Sequence, residues 1–156
     1  MSIAACLATG KDTWQTPDAL FQVYNSTYDF VLDAAADPTN HKVNCWFGPG
    51  GEENDALAAD WSAWLEAGNI WLNPPYSRGL QAAFIKKAVA EVHRQPVAGA
   101  HKVVCLVPSR TDTKLFHDVI RPNATIEFLR GRVKFVDAKN GAPFPSMIVV
   151  FGKEAA

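Results

Sequence analysis

Four consecutive residues, Asn73-Pro74-Pro75-Tyr76, combine a side-chain amide, two rigid prolines and an aromatic ring. The combination suits one chemical problem, a flat ring that bears an amino group. Such an amino group is a poor nucleophile because its lone pair is delocalised into the ring. Two hydrogen-bond acceptors aimed at its hydrogens oppose the delocalisation and hold the nitrogen in place. The Asn73 side-chain oxygen supplies one acceptor and the Pro74 carbonyl the other, while the prolines restrict the backbone and bring no N–H of their own. Tyr76 offers a face for stacking. No ionisable base is required, because the nitrogen's proton becomes acidic once the nitrogen is alkylated.

Pro-Pro-Tyr alone is a plain turn; the flanking elements make it a candidate site. Asn69 to Leu72 reads as a short strand, Ser77 as an N-cap and residues 78–94 as a long helix. In that helix Leu80, Phe84, Ala88 and Val92 recur every four residues, with Ile85 and Val89 beside them. Open α/β sheets bind ligands at the carboxyl ends of their strands, where this segment falls. Upstream, Thr16 is expected to cap a helix whose first position is Pro17, with Asp18 in its first turn. Tyr28 to Leu32 reads as a buried strand ending at Asp33, followed by the small-residue turn Ala34-Ala35-Ala36. Lys42 to Phe47 reads as a second, weaker strand. Lys102–Val107, Ala124–Leu129 and Ser146–Phe151 complete the strands. Residues 112–120 read as a helix ended by Pro122, and 130–145 as a hairpin-like excursion. The expected fold is α/β, a Rossmann-like, mostly parallel doubly wound sheet with an antiparallel strand near its C-terminal end.

The chain has 156 residues, 48% hydrophobic and 20% charged, enough for one domain with a substantial core. No apolar run approaches the roughly 18 residues of a membrane span, and the start lacks the basic lead of a signal peptide. These features predict a cytoplasmic protein, no membrane partner, a loose tail over 1–12 and a single domain over 13–156. Cys6, Cys45 and Cys105 are scattered without metal spacing, so free thiols and no metal are expected. The net charge of −1 conceals a division. Residues 1–75 carry two basic side chains against ten acidic, a net −8, and residues 76–156 carry thirteen against six, a net +7. An asymmetry of this size points to one acidic end and one basic end, the latter suited to a polyanion.

The ordered pieces Trp14-Gln15-Thr16-Pro17, Leu32-Asp33-Ala34-Ala35-Ala36, Asn54 to Trp61, Asn73 to Ser77, Gly131-Arg132-Val133-Lys134-Phe135 and Ser146 to Phe151 span nearly the whole chain. Together they resemble the small phage-type, Dam-like DNA N6-adenine methyltransferases, and Asn-Pro-Pro-Tyr is similar to the catalytic motif of amino-directed methyltransferases. The resemblance implies the class I methyltransferase version of the fold and S-adenosylmethionine as cofactor. By it, Thr16 and Pro17, with Trp14, belong to the segment that reaches the methionine carboxylate. Asp33 would accept from the cofactor's ammonium, with Ala34 and Ala35 allowing close approach where many relatives carry glycine. Asp60 would accept from the cofactor's adenine, with Trp61 packed on the ring, and Glu52 or Glu53 would hold the ribose.

Catalysis would then fall to Asn73, Pro74, Pro75 and Tyr76 acting on an adenine flipped out of double-stranded DNA. Arg130, Arg132 and Lys134 are expected to face the phosphates, with Ser77 near the substrate and Phe135 helping to enclose the base. With no separate recognition domain, readout would come from 130–145 and the loops near 95–101 and 109–114, giving a short or weak recognition sequence, with a homodimer as one way to extend it. The same chemistry on RNA adenine or on a protein glutamine is the alternative substrate reading. A non-catalytic nucleic-acid-binding protein that keeps the fold is the alternative of a different class.

Overall fold

The computed structural model describes residues 14–96 and 101–152; the tail expected over 1–12 lies outside them. Five strands form one sheet in the order β1-β2-β3-β5-β4. They are β1 (Phe30–Asp33), β2 (Asn69–Leu72), β3 (Val103–Pro108), β4 (Ala124–Phe128) and β5 (Ser146–Phe151). β1, β2 and β3 pair in parallel, with Asp33 opposite Trp71 and Leu72 opposite Cys105. β5 runs antiparallel to both β3 and β4, so the expected mixed sheet is the one observed. The helices are α1 (Asp18–Tyr28), α2 (Ser62–Ala67), α3 (Arg78–His93), α4 (Leu115–Ile120) and α5 (Arg121–Asn123).

Alternation along β2, β3 and β5 feeds two cores, and an irregularity between Phe30 and Leu32 sends these two residues of β1 to opposite sides. Leu32, Ile70, Leu72, Val103, Cys105 and Val149 face one side, under Phe84, Ile85, Ala88 and Val92 of α3 and Leu65 of α2. Phe30, Trp71, Val104, Leu106 and Ile148 face the other, under Phe21 of α1 and Phe135 and Ala142 of the β4–β5 connection. Both faces are covered, as a doubly wound sheet requires. The helical spacing in α3 marks its apolar face correctly, but Gln81 and Glu91 are buried on that helix as well.

Four local expectations are corrected. Residues 42–47 form no ladder; the segment meets the end of β1 through an isolated bridge between Asp33 and Trp46. It is instead pinned by Asp33 N–H to Cys45 O, Phe47 N–H to Asp33 O and Ala36 N–H to Phe47 O, all 2.9–3.0 Å. Gly48 sits at φ +138°, and a Cβ there would lie 1.8 Å from Ala36 O, so only glycine permits this clasp around the end of β1. Tyr28 closes α1 rather than opening β1, and Asp29, with φ 51°, makes the turn between them. Pro122 does not end the helix before it. α4 is wound as a π-helix, Arg121 N–H bonds to Phe116 O, and Pro122 lies in the short turn α5. The widened turn removes the demand for the N–H that proline lacks. Residues 129–145 hold no strand; they fold as turns drawn together by Ala142 N–H to Val133 O at 2.8 Å.

Candidate active site

Asn73, Pro74 and Pro75 leave the end of β2 beside the end of β1, and a cavity of about 30 Å³ lies there. Its walls include Trp14, Thr16, Asp33, Ala35 and Asn73. The Asp33 carboxylate is almost fully buried and accepts the Lys42 N–H at 2.9 Å and the Ala35 N–H at 3.3 Å. Burial pushes its pKa up to about 7, although both N–H groups pull the other way.

The Asn73 amide is oriented from upstream. Its Nδ2 donates to the Trp14 carbonyl and to Thr16 Oγ1, the latter at 3.0 Å. Its Oδ1 is buried and has no hydrogen-bond partner. A buried acceptor left bare is uncommon, because desolvation without a partner costs about 1–3 kcal/mol. Thr16 therefore does not cap α1. The residue before the helix is Pro17, no side chain caps it, and the Thr16 hydroxyl lone pair is engaged by Asn73 instead. The sequence assigns Trp14 and Thr16 to a cofactor; the structure adds that they aim Asn73.

Tyr76 lies in an aromatic box. The Trp14 ring is 6.5 Å away at an interplanar angle of 21°, and the Phe144 and Phe135 rings stand edge-on at 5.6 and 6.1 Å. Its hydroxyl donates to Leu106 O at 3.2 Å, and burial raises its pKa far above the ordinary phenol value, so it is a neutral wall. Phe135, expected to help enclose a base, packs edge-on against Tyr76. Phe144 joins it unannounced; nothing in its immediate sequence distinguishes it, and only the fold of 129–145 brings it in. Ser77 is half-buried at the start of α3, where its carbonyl, not its hydroxyl, accepts from Gln81 N–H. Arg130, Arg132 and Lys134 are exposed around the same connection.

Asp60 and Trp61 are not brought to the cavity. Trp61 is completely buried in the α2–α3 core, with its ring N–H bonded to Ala56 O at 2.9 Å. Asp60 is exposed, receives the Ser62 N–H at 2.9 Å and lies 3.6 Å from Arg94. At the start of α2, Asp60 accepts from Ser62 and Trp61 packs into the core. Ala34 is fully buried beneath the cavity, Ala35 lines it, and Glu52 and Glu53 are exposed away from it.

Comparisons with known proteins bear on the family and the fold. Residues 4–153 match the family model described as DNA N-6-adenine-methyltransferase (Dam). A DNA N-6-adenine-methyltransferase of Haemophilus phage HP1 is 31% identical over 155 residues, covering 93% of this chain and 81% of its own. One of Escherichia phage T1 is 26% identical over 147 residues, covering 84% and 56%. In fold, the chain is similar to a modification subunit described for a type I restriction enzyme of Vibrio vulnificus, with TM-score 0.56 and 11% identity over 95% of this chain and 46% of that one. The extent of the family match, with a relative above 30% identity over most of its length, settles the kinship: the chain belongs to the Dam family of DNA N-6-adenine-methyltransferases.

Proposed function

We propose that the chain transfers a methyl group from S-adenosylmethionine to the N6 amino group of adenine in DNA, with Asn73 as the residue that receives the amino group. The observation that carries the reading is the bare, buried Asn73 Oδ1. Its Nδ2 is committed to Trp14 and Thr16, so the oxygen can only accept, and an aromatic amino group is the donor it lacks. The Pro74 carbonyl takes the second hydrogen, and Tyr76 with Phe135 and Phe144 encloses the ring. The adenine reaches this box only when flipped from the duplex, at a cost of a few kcal/mol. Stacking offsets about 1–3 kcal/mol of that.

The polar end of the cavity fits the cofactor's methionine moiety. Asp33 accepts from the ammonium and the Thr16 hydroxyl, accepting from Asn73, keeps its own proton for the carboxylate. A cavity of about 30 Å³ must widen to take it. When bound, the cofactor would supply an electrophilic methyl group on a sulfonium sulfur; its transfer to the amino nitrogen would leave a neutral thioether and release the nitrogen's proton to solvent. Asn73, Pro74 and Tyr76 contribute position and orientation. Transfer of labelled methyl to DNA, RNA and protein side by side tests the reading; label appearing in DNA as N6-methyladenine is expected, and label only in RNA or protein would overturn it.

Two expected outcomes arise here. Asp33 holds an ammonium only when ionised, and its pKa lies at about 7. Affinity for S-adenosylmethionine should therefore rise about tenfold between pH 6 and pH 8, as the ionised fraction rises; Asp33→Asn should flatten that dependence in calorimetry. The sign for stability is opposite. A carboxyl whose pKa is raised on folding stabilises the fold below its unfolded value and loses that contribution as pH rises towards 7. In the basic connection, each phosphate contact adds about 0.9 to the salt slope of DNA binding. Replacing Arg130, Arg132 and Lys134 by alanine should reduce that slope by about 3 in all, and an unchanged slope would remove them from the DNA interface.

A further inference from the structure

A second cavity, of about 620 Å³, opens on the far side of Tyr76, between the first turns of α3, the end of β3 and residues 110–115. Neither Asn73 nor Pro74 lines it, and neither do the rings of Trp14, Phe135 and Phe144. Of the residues proposed above to hold the target base, Tyr76 alone lines it. The volume lies within the range of pockets that enclose small organic ligands. One polar group at its wall lacks a partner: Gln81 is 8% exposed and lines the cavity, and its Nε2 is buried without a hydrogen bond. Nothing in α3 needs a glutamine at that core position, where an apolar side chain would pack without stranding a donor. The rim is charged, with Arg110, Lys114 and Asp112 exposed, and the Arg110 guanidinium lies 5.8 Å above the Phe144 ring of the aromatic box.

We propose that this cavity receives a nucleotide adjoining the target adenine, and that Gln81 is a specificity-determining residue that donates to an acceptor on that base. Arg110 and Lys114 hold the phosphates at the rim, with Asp112 limiting how many can gather. The inference rests on the DNA-methylation reading above. It also supplies a reader where no separate recognition domain is present among the described residues.

The test is to methylate plasmid DNA with the purified full chain and sequence it for N6-methyladenine, comparing the parent with Gln81→Leu, Gln81→Glu and Ala82→Leu. Thermal melting checks folding. The parent should prefer particular bases at one position beside the adenine by roughly fivefold to tenfold, the reach of a single hydrogen bond. Gln81→Leu should erase that preference. Gln81→Glu, which accepts instead of donating, should move it to a base with an amino group. Ala82→Leu extends a side chain into the cavity from α3 and should flatten the same position, deciding alone if the Gln81 variants do not fold. A parent with no flanking preference, or folded variants that keep the parent's, would overturn the proposal. A parent that makes no N6-methyladenine at all would instead overturn the methylation reading.

Discussion

Asn73→Ala should reduce methyl transfer to DNA by a hundredfold to a thousandfold or more, on the scale of about 10²–10³ seen when one preorganised polar group is removed from an active site. The fold should survive it, because Asn73 is only half-buried and its bonds reach one carbonyl and one hydroxyl. The loss should fall on kcat rather than on affinity for S-adenosylmethionine, since the acceptor works on the amino group alone. Asn73→Asp separates two roles. It keeps an acceptor but removes the N–H groups that meet Trp14 O and Thr16 Oγ1. The ionised carboxylate of that variant would face the Trp14 carbonyl without a proton between them and swing away. The Asn73→Asp variant should therefore also lose most activity and release the 14–16 segment, seen as increased Trp14 fluorescence quenching. A single-turnover rate for Asn73→Ala within twofold of the parent would show that Oδ1 does not receive the amino group.

Most of the sheet was legible because its signals are local. Asn69–Leu72 and Ser146–Phe151 are strands with the bounds read from sequence, and the four-residue rhythm of α3 marks its buried face. The Asn-Pro-Pro-Tyr segment was legible for the same reason, as a strand end whose side chains have few other uses. What escaped depends on partners distant in sequence. Thr16 resembles a helix cap until Asn73, 57 residues away, takes its oxygen. Asp60-Trp61 resembles a ring clamp until α3 closes over Trp61. Phe144 and Gln81 carry no local mark, since one gains its place only from the turns of 129–145 and the other reads as one polar residue on an amphipathic helix. Residues 42–47 have strand-like composition, but hydrogen bonds to the end of β1 replace a ladder.

Glu91→Ala should lower stability more than any other exchange of a polar side chain outside the site. Glu91 is 1% exposed in the middle of the α2–α3 core, a position from which a carboxylate is normally excluded unless it is fully paired. Its Oε1 receives the Trp61 N–H at 2.8 Å and lies 3.3 Å from Lys87 Nζ, while Oε2 is bonded by Arg94 Nη1 at 2.5 Å. Alanine would strand the Trp61 N–H and leave Lys87, itself only 19% exposed, without its counter-charge. Breaking a buried charged network in this way costs about 3–5 kcal/mol. For a chain of this size, that corresponds to a fall in Tm of roughly 6–20 °C. Glu91→Gln keeps an acceptor for Trp61 but not the charge, so it should lose about half as much, and a melting scan of the two variants separates the hydrogen bond from the ion pair. Equal melting temperatures for parent and Glu91→Ala would mean that Trp61 is held by packing alone. The consequence for function is indirect: Glu91 ties the start of α2 to the last turn of α3, and the first turn of α3 carries Gln81 and begins two residues after Tyr76. A loosened clamp should therefore widen the spread of α3 positions and reduce discrimination between DNA sequences before it reduces cofactor binding at the β1 end of the sheet.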